Sequence, residues 1–204
     1  MSREQGTTMP VICSAVKRFD PACGDNWTKF IAWSGLTQLR ELVSLDGILC
    51  PTVFQELTAE DWQHNVQEDY KINLFHDLDY VVRRVEGAGQ VNVLALVQNP
   101  TDDEVRSFSD PRFVFRGFDL VELQTGISAL VNCGGVYNGV FMGGFDKVFA
   151  RADLSDCGLL TDHTTALSVQ KRLREEYPDE HHAHCDVWAI WQMKMGPEMT
   201  GEQP

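Results

Sequence analysis

Residues 91–97, Val-Asn-Val-Leu-Ala-Leu-Val, carry apolar side chains at both odd and even positions. Because successive side chains of a β-strand point to opposite faces, this run predicts a strand that is covered on both sides. The pair Asn99-Pro100 bounds the run at its C-terminal end. A sheet that contains such a strand needs other parts of the chain on each of its faces.

Periodicity elsewhere in the chain predicts helices first and strands later. Three helices are expected before residue 91: one that opens near Asp25, one opened by the capping pair Thr58 and Asp61, and one over residues 72–85. They are followed by a strand over residues 112–123 with a bulge or kink at Gly117, a helix from Thr161 to Tyr177, and a strand over residues 185–193. This order predicts an α+β fold, in which an N-terminal helical region packs with a mixed or mostly antiparallel sheet and one long helix precedes the last strand.

The length of 204 residues favours one domain with a short tail. We expect residues 1–194 to form a single globular domain and residues 195–204 to be a disordered tail. The N-terminus has no apolar core of a secretory signal, and no apolar run reaches the roughly 18 residues that cross a bilayer. We therefore expect a cytoplasmic protein whose six widely spaced cysteines, with no CxxC pair among them, are free thiols.

Charge is the most distinctive global property of the chain. It has 30 acidic and 17 basic residues, for a net charge of −13, and residues 41–80 hold nine Asp and Glu side chains against Lys71 alone. Such a surface repels the phosphate backbone of nucleic acids and attracts basic proteins. The alternative explanation is that the acidity serves solubility alone.

Trp62 lies within this acidic segment, together with Glu60, Asp61, Glu68 and Asp69. An aromatic side chain on an acidic surface is a suitable interface anchor, so we predict that these five residues bind a basic protein partner. The predicted function is therefore that of a non-enzymatic binding protein. In charge and size, though in no motif, the chain is similar to small acidic bacterial immunity proteins. This similarity implies neutralisation of a basic toxin.

An enzyme is the alternative function, and its first form depends on His182, His184 and Asp186. If the last strand starts by residue 182, alternation places these three side chains on one face. Two imidazoles and a carboxylate at this spacing could bind one zinc ion. The alternative is that these side chains, without a further ligand cluster, are simply the solvent-exposed first residues on a partly buried face of the strand.

The second form of the enzyme hypothesis depends on Cys133, which precedes two glycines. A thiol beside backbone N–H groups that glycines leave accessible could act as a nucleophile with an oxyanion hole, with His163 or His184 as its base. The alternative is a buried structural cysteine before a turn. The glycine-rich residues 134–144 match neither a phosphate-binding loop nor a dinucleotide motif, so we expect no cofactor other than a possible zinc ion.

Overall fold

The computed structural model of the chain describes residues 11–18, 25–35, 43–47, 50–54, 56–66, 72–132, 136–137, 140–141 and 148–194. Its strands are β1 (Ile12–Lys17), β2 (Val91–Gln98), β3 (Phe113–Glu122), β4 (Ile127–Ser128), β5 (Val136–Tyr137), β6 (Val140–Phe141) and β7 (Asp186–Met193). Its helices are α1 (Asp25–Ser34), α2 (Ala59–His64), α3 (Leu78–Arg84), α4 (Asp102–Ser107), α5 (Ala129–Asn132) and α6 (His163–Glu176), with two 3₁₀ helices at Arg151–Asp153 and His181–His184. None of these described helices is long and apolar enough to span a bilayer.

The main sheet has five strands in the order β1-β2-β7-β3-β4, and every neighbouring pair is antiparallel. Strands β5 and β6 form a separate two-stranded antiparallel sheet. Helices combined with an antiparallel sheet confirm the predicted α+β class. The prediction for residues 91–97 is confirmed too, because all of β2 except Gln98 is buried.

Strand β1 was not predicted from the sequence. It pairs with β2 from Ile12 opposite Leu96 to Lys17 opposite Val91, and so extends the sheet by one strand. The polar residue Ser14 interrupts the apolar residues of this strand, so the sequence does not suggest that the strand is buried. In the structure Ser14 is nevertheless fully buried. The burial is possible because Ser14 Oγ donates a hydrogen bond to the carbonyl oxygen of Asn73, at 2.8 Å.

The helix predicted over residues 72–85 begins only at Leu78, so the prediction is wrong for its first six residues. The side chain of Asp77 caps the helix by accepting a hydrogen bond from Tyr80 N at 3.0 Å. Before the cap, Phe75 exchanges two backbone hydrogen bonds of 2.8 Å with Cys13 at the outer edge of β1. Residues 72–77 therefore partly cover an edge of the sheet instead of extending the helix.

Gly117 marks a β-bulge in β3, as predicted. The register of β3 against β7 shifts between Phe115 and Gly117, and Gly117 has a φ of +137°. The bulge lets residues 159–160 approach the strand, where Leu160 exchanges backbone hydrogen bonds with Phe118. A Cβ at position 117 would lie 2.5 Å from the carbonyl oxygen of Leu160, so this approach requires glycine.

The carboxylate of Asp119 in β3 is fully buried and anchors the segment 43–47 to the sheet. One of its oxygens accepts hydrogen bonds from Ser44 Oγ (2.8 Å) and Leu45 N (3.1 Å), and the other from Ser128 Oγ (2.5 Å) and Leu120 N (2.9 Å). Burial raises the pKa of Asp119, although the hydrogen bonds from Ser128, Leu45 and Ser44 oppose the rise.

A second buried acid, Asp46, continues this polar network into α5. Its Oδ2 accepts hydrogen bonds from Ser128 N and Asn132 Nδ2, both at 3.0 Å, and its own N–H donates to Ser44 Oγ at 3.0 Å. The nearby charge of Asp46 also raises the pKa of Asp119. Two acids thus connect three separate chain segments inside the protein.

We expect Gly117→Ala to lower the free energy of unfolding by about 3 kcal/mol, because the new Cβ combines an unfavourable φ with a backbone clash. Urea denaturation of the two proteins measures the difference. Gly89→Ala is the matched control: Gly89 has a φ of +83° but no atom within 4 Å of an added Cβ. Its cost should be only about 1 kcal/mol. Equal losses in the two variants would contradict the role assigned to the contact with residue 160.

Candidate functional site

The buried side chain of Asp61 connects helix α2 to α3 through hydrogen bonds. The predicted capping box is present: Thr58 Oγ1 accepts from Asp61 N at 3.1 Å, and Asp61 Oδ2 accepts from Thr58 N at 2.7 Å. Asp61 Oδ1 also accepts from Tyr80 Oη at 2.6 Å and from Arg84 Nε at 3.0 Å. Burial opposes ionisation of Asp61, but the hydrogen bonds from Tyr80, Thr58 and Arg84 outweigh it and lower its pKa to about 2.

This arrangement corrects the predicted role of Asp61, whose side chain is not accessible to a partner. Its neighbours differ: Glu60 is exposed, and Trp62 keeps 45% of its surface accessible to solvent. Glu68 and Asp69 lie outside the described residues. Of the predicted binding residues that the structure describes, Glu60 and Trp62 are therefore the two at the surface.

The acidic segment 41–80 presents less charge at the surface than its composition suggests. Asp46 and Asp61 are buried in the polar contacts given above. Four of its acids are described and at least partly exposed, namely Glu56, Glu60, Asp77 and Asp79. Asp79 also lies 3.6 Å from the guanidinium of Arg112.

Residues 181–184 form a 3₁₀ helix, and β7 starts only at Asp186. This corrects the assumption behind the metal prediction, because alternation along a strand does not place His182, His184 and Asp186 on one face. His182 is buried, whereas His184 is exposed. Within the described part of the chain, no group of three or more His, Cys, Asp or Glu side chains could hold a metal ion.

The thiol prediction falls on Cys133, which lies outside the described residues, as does most of the glycine-rich segment after it. The four cysteines that the structure does describe, Cys13, Cys50, Cys157 and Cys185, are all buried. His163, one proposed base for the thiol, instead places its Nδ1 2.6 Å from Asp102 Oδ1 and stacks its ring on Phe118. His184 is the histidine that lines a cleft.

This cleft lies where β2 and β3 end and β7 begins. The three termini meet because β7 runs antiparallel to both neighbours, which places Gln98 opposite Trp188 and Val121 opposite Asp186. The cleft has a volume of about 400 Å³, within the usual range for small-ligand sites. Its lining residues are Gln98, Glu122, Leu123, Gln124, His184 and Asp186.

Asp186 is held in place by two amide side chains from the end of β2. Gln98 Nε2 donates to its Oδ2 at 2.6 Å, and Asn99 Nδ2 donates to its Oδ1 at 2.9 Å. Asn99 adopts a φ of +46°, a conformation that asparagine tolerates better than most residues. Its Oδ1 also accepts a hydrogen bond from Val187 N at 3.2 Å, so this turn fixes the start of β7.

Glu122, at the end of β3, supplies the second carboxylate of the cleft. Its Oε2 accepts a hydrogen bond from Thr125 Oγ1 at 2.5 Å and lies 3.5 Å from His181 Nδ1. Sequence reasoning missed Glu122, Gln98 and Gln124 as site residues. The strand ends were within reach of prediction, but the antiparallel register that brings them together was not.

The buried His182 predicts a pH-dependent stability. Burial and the charge of His181 lower its pKa from 6.5 to about 4, although Glu122 opposes the change. Below pH 6.5 the unfolded chain binds a proton that the folded chain does not, so stability is lost as the pH falls towards 4. The loss should be roughly 3 kcal/mol by linkage. Urea denaturation across this range should show it in the wild type and in His184→Gln but not in His182→Gln. The same slope in all three proteins would refute the assignment.

Comparisons of this chain with protein-family models, with curated proteins and with solved structures found no match. Its function therefore has to be inferred from its own residues.

Proposed function

We propose that the protein is a non-enzymatic binding protein that engages a basic protein partner through the exposed side of α2. The observation that carries this proposal is Trp62, which is 45% exposed on a helix locked in place by a buried acid. Most tryptophan side chains are buried in the protein core. A tryptophan that is exposed in charged surroundings is a typical interface anchor. Glu60, two positions away on the same helix, is also exposed and carries a negative charge.

The contacts that hold α2 in place favour binding, because they keep the helix that carries Trp62 ordered before a partner binds. A six-residue helix is unstable alone, so its order here comes from contacts with its surroundings. Besides the bonds of Asp61, the ring of His64 stacks on Tyr80 with centroids 4.0 Å apart, and His64 O accepts from His76 N at 3.1 Å. A preorganised anchor loses less conformational entropy on binding than a mobile one.

The sign of the charge indicates the class of partner. With a net charge of −13, the protein attracts cationic proteins over long distances and repels nucleic acids. Neutralisation of a basic toxin in the cytoplasm, by one domain comprising residues 1–194, is the specific form that we propose. Solubility accounts for acidity in general, but it gives no reason for an exposed indole on a fixed helix.

The test is to capture the partner on immobilised protein, identify it, and measure binding with the purified pair. We expect a basic protein whose association rate falls about tenfold between low and physiological salt, as for electrostatically steered encounters. Trp62→Ala should raise the dissociation constant by about tenfold or more, which is the typical effect of a central aromatic anchor. Glu60→Lys should mainly slow association. No variant of Asp61 is used, because loss of its side chain would remove the hydrogen bonds that hold α2 to α3.

Two matched controls lie on α6. Leu167→Ala removes another exposed apolar side chain, which is 44% accessible, and Glu175→Lys makes the same charge change as Glu60→Lys at an exposed position. Both should leave binding nearly unchanged. Equal effects of Glu60→Lys and Glu175→Lys would reduce the interaction to general charge attraction, and a partner that binds Trp62→Ala with full affinity would exclude the proposed surface.

An enzyme is the second candidate, and it is favoured by one observation: His184 and Asp186 line the same cleft. If zinc acts there, protein purified without a histidine tag should contain stoichiometric metal by elemental analysis, and His184→Ala should lose it. Glu175→Ala, which changes an exposed residue on α6, is the control and should retain the metal. Metal-free wild-type protein at neutral pH would count against this candidate.

A further inference from the structure

We propose that the cleft at the end of the sheet binds an organic cation, specifically a guanidinium group. The cleft brings together two carboxylates from different strands, Glu122 and Asp186, and none of its six described lining residues is Lys or Arg. This inference does not rest on the proposed function, because its residues belong to neither α2 nor α3.

The walls of the cleft offer hydrogen-bond acceptors that the described residues leave available. Glu122 binds its protein neighbours through Oε2, and Oε1 accepts no hydrogen bond from the described chain. Gln98 donates to Asp186 through its Nε2, and its Oε1 likewise accepts no hydrogen bond from the described chain. A ligand with several N–H donors would complement these oxygens.

The two carboxylates are held firmly, so they do not have to be ordered when a ligand binds. Asp186 is fixed by Gln98 and Asn99 at 2.6 and 2.9 Å, and Glu122 by Thr125 at 2.5 Å. Each carboxylate can accept further hydrogen bonds, because an ionised carboxyl group has about four acceptor sites. Preorganised acceptors strengthen binding by lowering its entropic cost.

Planar donors suit this arrangement better than a point charge. A guanidinium presents five N–H donors in a fixed fork and pairs with carboxylates through two parallel hydrogen bonds. It is also less strongly hydrated than an ammonium group, so entering a partly enclosed cleft costs it less. The buried Leu123 adds an apolar surface against which the methylene stem of such a ligand can pack.

A metal ion is a weaker match for the same residues. Zinc sites take three or four ligands in tetrahedral geometry, and the described residues contain no such group. An organic cation does not need such a group of ligands, because it binds through N–H donors to single acceptor atoms.

The experiment titrates ¹⁵N-labelled protein with N-acetyl-arginine methylamide and follows backbone resonances. We expect saturable shifts at residues 98, 122–124, 184 and 186, with a dissociation constant of about 1 mM or lower. N-acetyl-citrulline methylamide has the same shape but no charge, and it should bind at least about tenfold more weakly. Propylguanidine, a free guanidinium compound with the same single charge, distinguishes a small-molecule ligand from a protein side chain: tighter binding of propylguanidine indicates the former, and of the capped amino acid the latter.

Two variants locate the site. Glu122→Gln should weaken binding of the arginine derivative about tenfold, because it removes one of two charges with little change in shape. Gln124→Lys, at an exposed loop position, should abolish binding by placing a cation at the cleft without disturbing the core. Glu175→Gln on α6 makes the same chemical change as Glu122→Gln at an exposed position outside the cleft and should have no effect. Thermal melts confirm that each variant is folded.

Any of three results would overturn the inference. They are equal binding of the arginine and citrulline derivatives, equal weakening by Glu175→Gln and Glu122→Gln, and no shifts at the cleft with about 10 mM ligand, a concentration that detects even millimolar binding. Stoichiometric zinc bound at the cleft would replace the guanidinium site with a metal site. Failure of α2 to bind a basic protein would leave the result unaffected, because these titrations contain no protein partner.

Discussion

Strand β7 is the constraint on which the rest of the sheet depends. It is the last described element in the chain, yet it occupies the centre of the sheet, between β2 and β3. Its residues 187–192 are buried on both faces, so the strand contributes to the core on both sides of the sheet. Strands β2 and β3 lie about 90 and 70 residues upstream and are joined in the sheet by β7, which makes the sheet dependent on long-range pairing. The cleft depends on the same pairing, because it forms where β7 begins.

Two buried acids show how the surroundings decide the state of a carboxyl group. Asp61 is paired with the guanidinium of Arg84 and accepts a hydrogen bond from Tyr80, so its pKa falls despite burial. Asp119 accepts four hydrogen bonds from neutral donors only and has Asp46 nearby, so burial prevails and its pKa rises. Both groups fix structure, and neither offers its charge to a partner. Composition alone counts them as surface charge and so overstates the acidity available for binding.

Features encoded by local sequence could be predicted, and features that need tertiary contacts could not. The strand at residues 91–97, the capping pair Thr58 and Asp61, and the bulge at Gly117 each depend on neighbouring residues and are confirmed. Strand β1 could not be recognised, because the burial of Ser14 depends on a carbonyl group 59 residues away. The residues of the cleft are still less local, since Gln98 and Asp186 are 88 residues apart and meet through strand register.

The histidine segment shows how two residues can line one cleft although the strand geometry predicted for them is wrong. A 3₁₀ turn rather than strand alternation places His184 and Asp186 at the cleft, and the same turn buries His182. A strand would have presented two imidazoles and favoured a metal. The turn presents one imidazole, and the strand ends add two carboxylates and two amides, which favour a donor-rich organic cation. Acidity thus contributes to the candidate chemistry at this end of the sheet as well as to the surface around Trp62.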